Sequence, residues 1–132
     1  MGDGVMKSIK KVGLVAGFLL FSSSAIAQQT SGEIGYSKGA LGYDALLAGH
    51  NDTALKQLEA AERVRKDDPA RLINLGQAYV RAGRHGDAAQ MFMAAMNSNR
   101  SFDLLLADGT VMNSRKAAEL ALNSLNNNLA SR

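Results

Sequence analysis

The 132-residue sequence predicts a mainly α-helical domain. We expect two helical hairpins stacked as a short α-solenoid, followed by a small β-hairpin and a C-terminal capping helix. Three observations predict this fold. Apolar residues recur at helical spacing through the middle of the chain. The pattern returns after 34 residues. Asp108 and Gly109 stand between two short apolar runs, which is a strong hairpin signal.

The stretch from Leu72 to Ala95 carries the clearest helical pattern. Small residues there let two helices approach closely, and large residues fill the space beside the contact. The small residues are Gly76 and Ala88, and the large ones are Leu75, Tyr79 and Phe92. Stepping back 34 residues gives a similar residue at six positions. The pairs are Leu75 and Leu41, Gly76 and Gly42, Gly83 and Gly49, Ala88 and Ala54, Phe92 and Leu58, and Ala95 and Ala61.

This pattern resembles the tetratricopeptide repeat (TPR), in which each repeat is a pair of antiparallel helices, and the chain resembles small exported bacterial members of that family. The resemblance covers roughly 35–100 and implies two repeats, at about 35–68 and 69–102. The sequence departs from the family at Ala45, which lies 34 residues before Tyr79. Lys66 and Arg100 stand where the family has a proline. The resemblance implies a protein that binds other proteins.

The N-terminus has the order of a secretory signal peptide. Basic residues precede an apolar run at 12–21, and Ala25-Ile26-Ala27 forms an A-x-A cleavage site. We therefore expect residues 1–27 to stand apart from the folded domain and to be removed before Gln28. An uncleaved membrane anchor is the alternative, and either Met1 or Met6 is the start. The mature protein is then periplasmic or secreted, and it meets the membrane only transiently, through the signal peptide.

Removal of this segment changes the charge balance. Three of the 15 basic and one of the 12 acidic residues leave with residues 1–27, which leaves 12 basic and 11 acidic residues. The alkaline pI therefore comes largely from the targeting segment, and the composition does not favour a nucleic-acid partner. The sequence has no cysteine, so neither disulfides nor thiol chemistry is expected.

The remaining segments follow from caps and breakers. Residues 28–36 are polar and predict a flexible leader, and the folded domain is expected over 37–125. Helices are predicted from Ser37 to about Ala48, despite Gly39 and Gly42 inside, and from about Thr53 to Lys66. Asp68 is the expected cap of a helix from Pro69 to Ala82, and a fourth helix starts near Asp87.

The fourth helix is apolar all round, so the tail at 102–125 should cover it. Within the tail, a hairpin from Phe102 to Met112 competes with a short helix ended by Gly109. Ser114 then caps a last helix to about Leu125, and residues 126–132 form a loose end.

The sequence contains no group of residues with the spacing of a known catalytic or metal-binding motif. His50 and His85 fall in turns, without the His-x-x-x-His or Glu-x-x-His spacing of a metal site. No phosphate-binding loop or nucleophile elbow occurs. We therefore expect no enzymatic activity, cofactor or metal.

Two function hypotheses remain. The first is a non-enzymatic interaction module that receives a peptide or a partner helix in the groove of its TPR helices. The resemblance implies that first helices face this groove, and helical spacing places Asn74, Gln77 and Arg81 there with Tyr43 and Leu47. A solvated helix face explains the same stripe. The second hypothesis is a structural protein that forms homo- or hetero-oligomers through the hairpin's free edge or the solenoid end.

Overall fold

The structure, a computed structural model, describes residues 13–15 and 35–132. Most of the expected signal segment, and residues 28–34 of the leader expected at 28–36, lie outside these residues. The described part is mainly helical, with a small sheet. Its elements in chain order are β1 (Gly13–Val15), α1 (Tyr43–Leu47), α2 (Asn51–Glu59), α3 (Pro69–Arg81), α4 (His85–Met96), β2 (Asp103–Leu106), β3 (Val111–Asn113) and α5 (Ser114–Ala130).

Helix α3 begins and ends where its local sequence predicts. The Asp68 carboxylate accepts hydrogen bonds from the backbone N–H groups of Ala70 and Arg71, at 2.9 and 3.2 Å, and Pro69 occupies the first helical position. Gly83 follows the helix with a left-handed φ of 74°. The cap and the breaker therefore fix both ends of the central helix.

Helices α3 and α4 pack closely at Gly76. A Cβ built on Gly76 would lie 2.4 Å from Cε1 of Phe92, whose ring is fully buried. Only a residue without a side chain fits there, as the small-residue pattern predicts. Ala88, also fully buried, belongs to the same core cluster.

The first helix differs from its prediction. Gly39 and Gly42 have left-handed φ values of 81° and 60°, so the chain from Ser37 to Gly42 forms turns and α1 begins only at Tyr43. Glycine adopts positive φ without the steric cost of a Cβ, and the two glycines interrupt the helix rather than weakening it. The predicted helix from Ser37 to Ala48 is therefore wrong over its first half.

Helix α2 is also shorter than expected. It ends at Glu59, although the apolar stripe continues through Ala61 and the buried Val64, which lie in turns. The buried Arg71 donates from Nε and Nη2 to the Leu58 carbonyl oxygen, at 3.0 and 2.8 Å. A cation at the carbonyl end of a helix is favourable, so α3 caps α2 at this point.

The tail forms the predicted hairpin and not the rival short helix. Strands β2 and β3 pair antiparallel, with Leu104 opposite Met112. The Leu106 N–H donates to the Thr110 carbonyl oxygen at 2.8 Å, across a three-residue loop in which Gly109 has a φ of 85°. The Asp108 carboxylate accepts hydrogen bonds from the Thr110 hydroxyl at 2.6 Å and N–H at 2.9 Å.

Helix α5 covers α4, as the all-round apolar pattern predicts. Its buried face consists of Ala117, Ala118, Ala121 and Leu125. Two details differ from expectation. Asn113, rather than Ser114, caps the helix through its side chain, because the Ser114 Oγ accepts from the Phe102 N–H. The helix continues to Ala130, so the loose end predicted at 126–132 is largely helical.

Strand β1 pairs parallel with β2, with Gly13 opposite Leu104 and Val15 opposite Leu106. It also contacts α3. This pairing differs from the expectation that residues 1–27 stand apart from the domain. It also means that the β2 edge of the hairpin is occupied in the whole chain.

Candidate protein-binding surface

Two of the predicted groove residues hold α1 and the turn before it against α3. Asn74 is fully buried, and its Nδ2 donates to the Leu41 carbonyl oxygen at 3.0 Å. The Arg81 guanidinium donates from Nη1 to the Leu46 carbonyl oxygen. Partial burial of this guanidinium lowers the pKa of Arg81. Both side chains therefore make contacts within the domain.

The other three predicted residues divide by exposure. Tyr43 is buried in a core cluster with Leu46 and Leu75, and burial raises the pKa of its hydroxyl. Leu47 is 44% exposed, and Gln77 is half-buried. The prediction that Tyr43 and Asn74 line an open groove is therefore wrong. Tyr43 instead packs into the core cluster, and the turn at 37–42 covers Asn74 through the Leu41 carbonyl.

What remains accessible of the stripe is its C-terminal part. Leu47 ends α1, Arg81 ends α3, and Gln77 lies one turn before Arg81. The hydrogen bond between Arg81 and Leu46 joins the two helix ends. This surface, formed by Leu47, Gln77 and Arg81, is called the α1–α3 end surface below.

A polar cluster that the sequence analysis did not identify lies at the same end of α3. The Arg84 guanidinium lies 4.4 Å from the ring centroid of Tyr79 and forms an ion pair with Asp87 at 2.7 Å. The Tyr79 hydroxyl donates to Glu59 at 3.3 Å. Burial, followed by the Glu59 charge, raises the pKa of the Tyr79 hydroxyl. The i, i+3 spacing of Arg84 and Asp87 was the only sequence signal for this cluster.

A second cluster joins the start of the domain to α3. The Tyr36 hydroxyl donates to both oxygens of the Asp68 carboxylate, at 3.0 and 3.2 Å. Burial, together with the Asp68 charge, raises the pKa of the Tyr36 hydroxyl far above its usual range. Tyr36 is thus anchored to the α3 cap, although the sequence analysis placed it in the flexible leader.

Within residues 35–132, no group of three or more His, Asp or Glu side chains is arranged to hold a metal ion. His50 is exposed, and His85 is half-buried at the start of α4. A shallow cavity of about 370 Å³ lies between the turn at 37–40 and the segment at 57–63. It is lined by polar side chains and small residues.

Strand β2 is held on both faces. The side chains of Leu104 and Leu106 belong to one core cluster, and Leu105 packs against the other. Its outer edge pairs with β1, which also contacts α3.

Among the described residues, no helix is sufficiently long and apolar to cross a membrane. Comparisons of the chain with protein-family models, with curated proteins and with solved structures give no match.

Proposed function

We propose that this chain is a non-enzymatic protein-interaction module of TPR type, which acts in the periplasm or outside the cell after removal of residues 1–27. It binds a peptide or a helix of a partner protein, and no cofactor takes part. One observation carries the proposal, and it concerns the repeat.

A glycine lies close to an apolar side chain at both positions of the 34-residue interval. A Cβ on Gly42 would lie 3.1 Å from Cγ of Leu58, and a Cβ on Gly76 would lie 2.4 Å from Cε1 of Phe92. The first contact joins the turn before α1 to α2, and the second joins α3 to α4. A sequence repeat in which both glycines lie close to an apolar side chain of the following helix supports stacked helical hairpins, which bind proteins through the surface of the stack.

The binding surface in this proposal is the α1–α3 end surface. An exposed leucine beside an amide and a guanidinium suits a partner segment that supplies both an apolar side chain and hydrogen-bond acceptors. The buried parts of the stripe, at Tyr43 and Asn74, support this surface and do not touch the partner.

The test measures affinity for a partner isolated by crosslinking from the exported compartment. Leu47→Ala and Gln77→Ala should each weaken binding by about 1 kcal/mol or more, as interface anchors do. Lys56→Ala, on the exposed face of α2, is the matched control and should leave affinity unchanged. Tyr43→Ala and Arg81→Glu are less suitable, because both also disturb the packing of α1. Unchanged affinity in both test variants would contradict the proposal.

A second candidate function is assembly through the hairpin edge. It is favoured by the pairing of β1 with β2, since that edge accepts an added strand. Light scattering on the processed protein distinguishes the two, because self-assembly gives a closed oligomer and the interaction module permits a monomer.

A further inference from the structure

The backbone of β2 alternates between its two neighbours. The Leu106 N–H donates to Thr110, and the Phe102 carbonyl oxygen accepts from the Ser114 N–H at 2.9 Å. Residues 102, 104 and 106 therefore direct their backbone groups toward β3. Because these groups alternate along a strand, Leu105 directs its N–H and C=O toward the outer edge.

Strand β1 lies on this edge. Leu14 is opposite Leu105, so the partners available to Leu105 are the flanking residues: its N–H faces the Gly13 carbonyl oxygen and its C=O faces the Val15 N–H. The backbone of an extended three-residue segment thus fits beside β2, and the segment contacts α3.

The outer edge is also a preformed acceptor. The side chains of Leu104 and Leu106 are buried in one core cluster, while Leu105 packs against the second cluster. These contacts, together with the pairing with β3, hold β2 in place. A strand that is already ordered loses little conformational freedom when another strand adds to it.

We propose that the outer edge of β2 is a strand-binding site, filled by Gly13–Val15 in the unprocessed chain and opened to a partner's extended segment when residues 1–27 are removed. This inference rests on the proposed function, since the β2 edge supplies a second contact for the protein partner. The partner can bind this edge only after residues 1–27 have been removed.

The chemistry of the edge specifies the partner segment. It runs parallel to β2 and carries small and aliphatic residues over three positions, as Gly13, Leu14 and Val15 do. Asp103, which starts β2, is exposed and gives this end of the edge a negative charge, which favours a basic residue before the bound strand. The occupant is therefore a basic-then-aliphatic segment of another protein.

The first test uses amide hydrogen exchange in the unprocessed chain. Val15→Pro removes the N–H that faces Leu105, whereas the matched control Leu14→Pro removes an N–H that faces away from β2. In Val15→Pro the Leu105 amide should exchange about tenfold faster or more, while it stays protected in Leu14→Pro. The Leu106 amide, bonded to Thr110, should stay protected in both and so reports an intact hairpin.

The second test uses the processed protein and a soluble peptide of residues 10–17, Lys-Lys-Val-Gly-Leu-Val-Ala-Gly. The peptide should bind and slow the exchange of the Leu105 amide. Proline in place of Val15 in the peptide should abolish binding, and proline in place of Leu14 should not.

Three results would overturn the inference. The first is a Leu105 amide that exchanges equally fast in the unprocessed chain and in its Val15→Pro variant. The second is equal binding of the two proline peptides to the processed protein. The third is protection of the Leu105 amide that depends only on the concentration of the processed protein itself. The last would make a second copy the occupant. The Leu47 and Gln77 variants test the α1–α3 end surface, so their failure concerns the proposed function alone.

Discussion

Replacing Gly76 with alanine should destabilise the domain, although alanine is the better helix former. The new Cβ would lie 2.4 Å from Cε1 and 2.8 Å from Cδ1 of Phe92, well inside the favourable separation of about 3.5–4.0 Å. The Phe92 ring is fully buried, so it cannot move without disturbing its neighbours.

The magnitude follows from two opposing effects. Overpacking a core costs about 1–3 kcal/mol, and so short a contact places this site at the upper end. The alanine returns about 1 kcal/mol of helix propensity. We therefore expect a net loss of about 2 kcal/mol in the free energy of unfolding, or a Tm lowered by roughly 8–16 °C.

Urea unfolding followed by circular dichroism measures this loss. Gly86→Ala is the matched control, because Gly86 lies in α4 with no heavy atom within 4 Å of the added Cβ. It should stabilise the protein by about 0.5–1 kcal/mol. Adding Phe92→Leu to Gly76→Ala should cost less than the sum of the single changes, by about 1 kcal/mol or more. A Gly76→Ala protein as stable as the parent, or strict additivity with Phe92→Leu, would refute the close-packing argument.

Three further predictions concern the caps and the tail. Asp68→Ala removes the acceptor of two α3 N–H groups and of the Tyr36 hydroxyl, so it should lower the free energy of unfolding in urea by about 2 kcal/mol. Tyr36→Phe keeps the cap and should lower it less. An equal loss in both variants would contradict the capping role. The Thr110 hydroxyl and N–H hold the pKa of the Asp108 carboxyl below its usual range. The stability that this carboxylate contributes is therefore present above its pKa in the unfolded chain and is lost as pH falls through its pKa in the folded protein. An NMR titration that gives Asp108 an ordinary midpoint would contradict this. Truncation after residue 99 removes β2, β3 and α5 and should give a protein that is insoluble or melts without cooperativity, and a truncated protein as stable as the whole would refute the capping role of the tail.

Where the sequence analysis succeeded, the signal was local. Asp68 and Pro69 begin α3, Gly83 follows its end, and Asp108 with Gly109 closes the hairpin. Each of these residues acts through its own backbone or its immediate neighbours, so its effect can be predicted without knowledge of the fold.

Where the sequence analysis failed, the cause was a distant contact or an ambiguous glycine. Gly42 is tolerated in a helix and favoured in a turn, and the sequence does not distinguish them. The stripe of Ala61 and Val64 fits a longer α2, but apolar residues in turns can be buried just as well. Only the structure shows Arg71 at the end of α2.

The candidate site shows the same limit. Asn74 and Arg81 have the spacing of a polar groove, yet their acceptors are main-chain carbonyls of Leu41 and Leu46, 33 and 35 residues earlier. Helical spacing assigns a face but not what covers it. Strand β1 was missed for a related reason, since its apolar run also satisfies the pattern of a signal peptide.

Site-specific photo-crosslinking in the exported compartment tests the central claim most directly. A photoreactive side chain placed at Gln77, on the α1–α3 end surface, should give one discrete adduct with a different protein, and the same group at Lys56 on the outer face of α2 should give none. No adduct at Gln77, or an adduct only with a second copy of this chain, would contradict an interaction module that binds a partner through that surface.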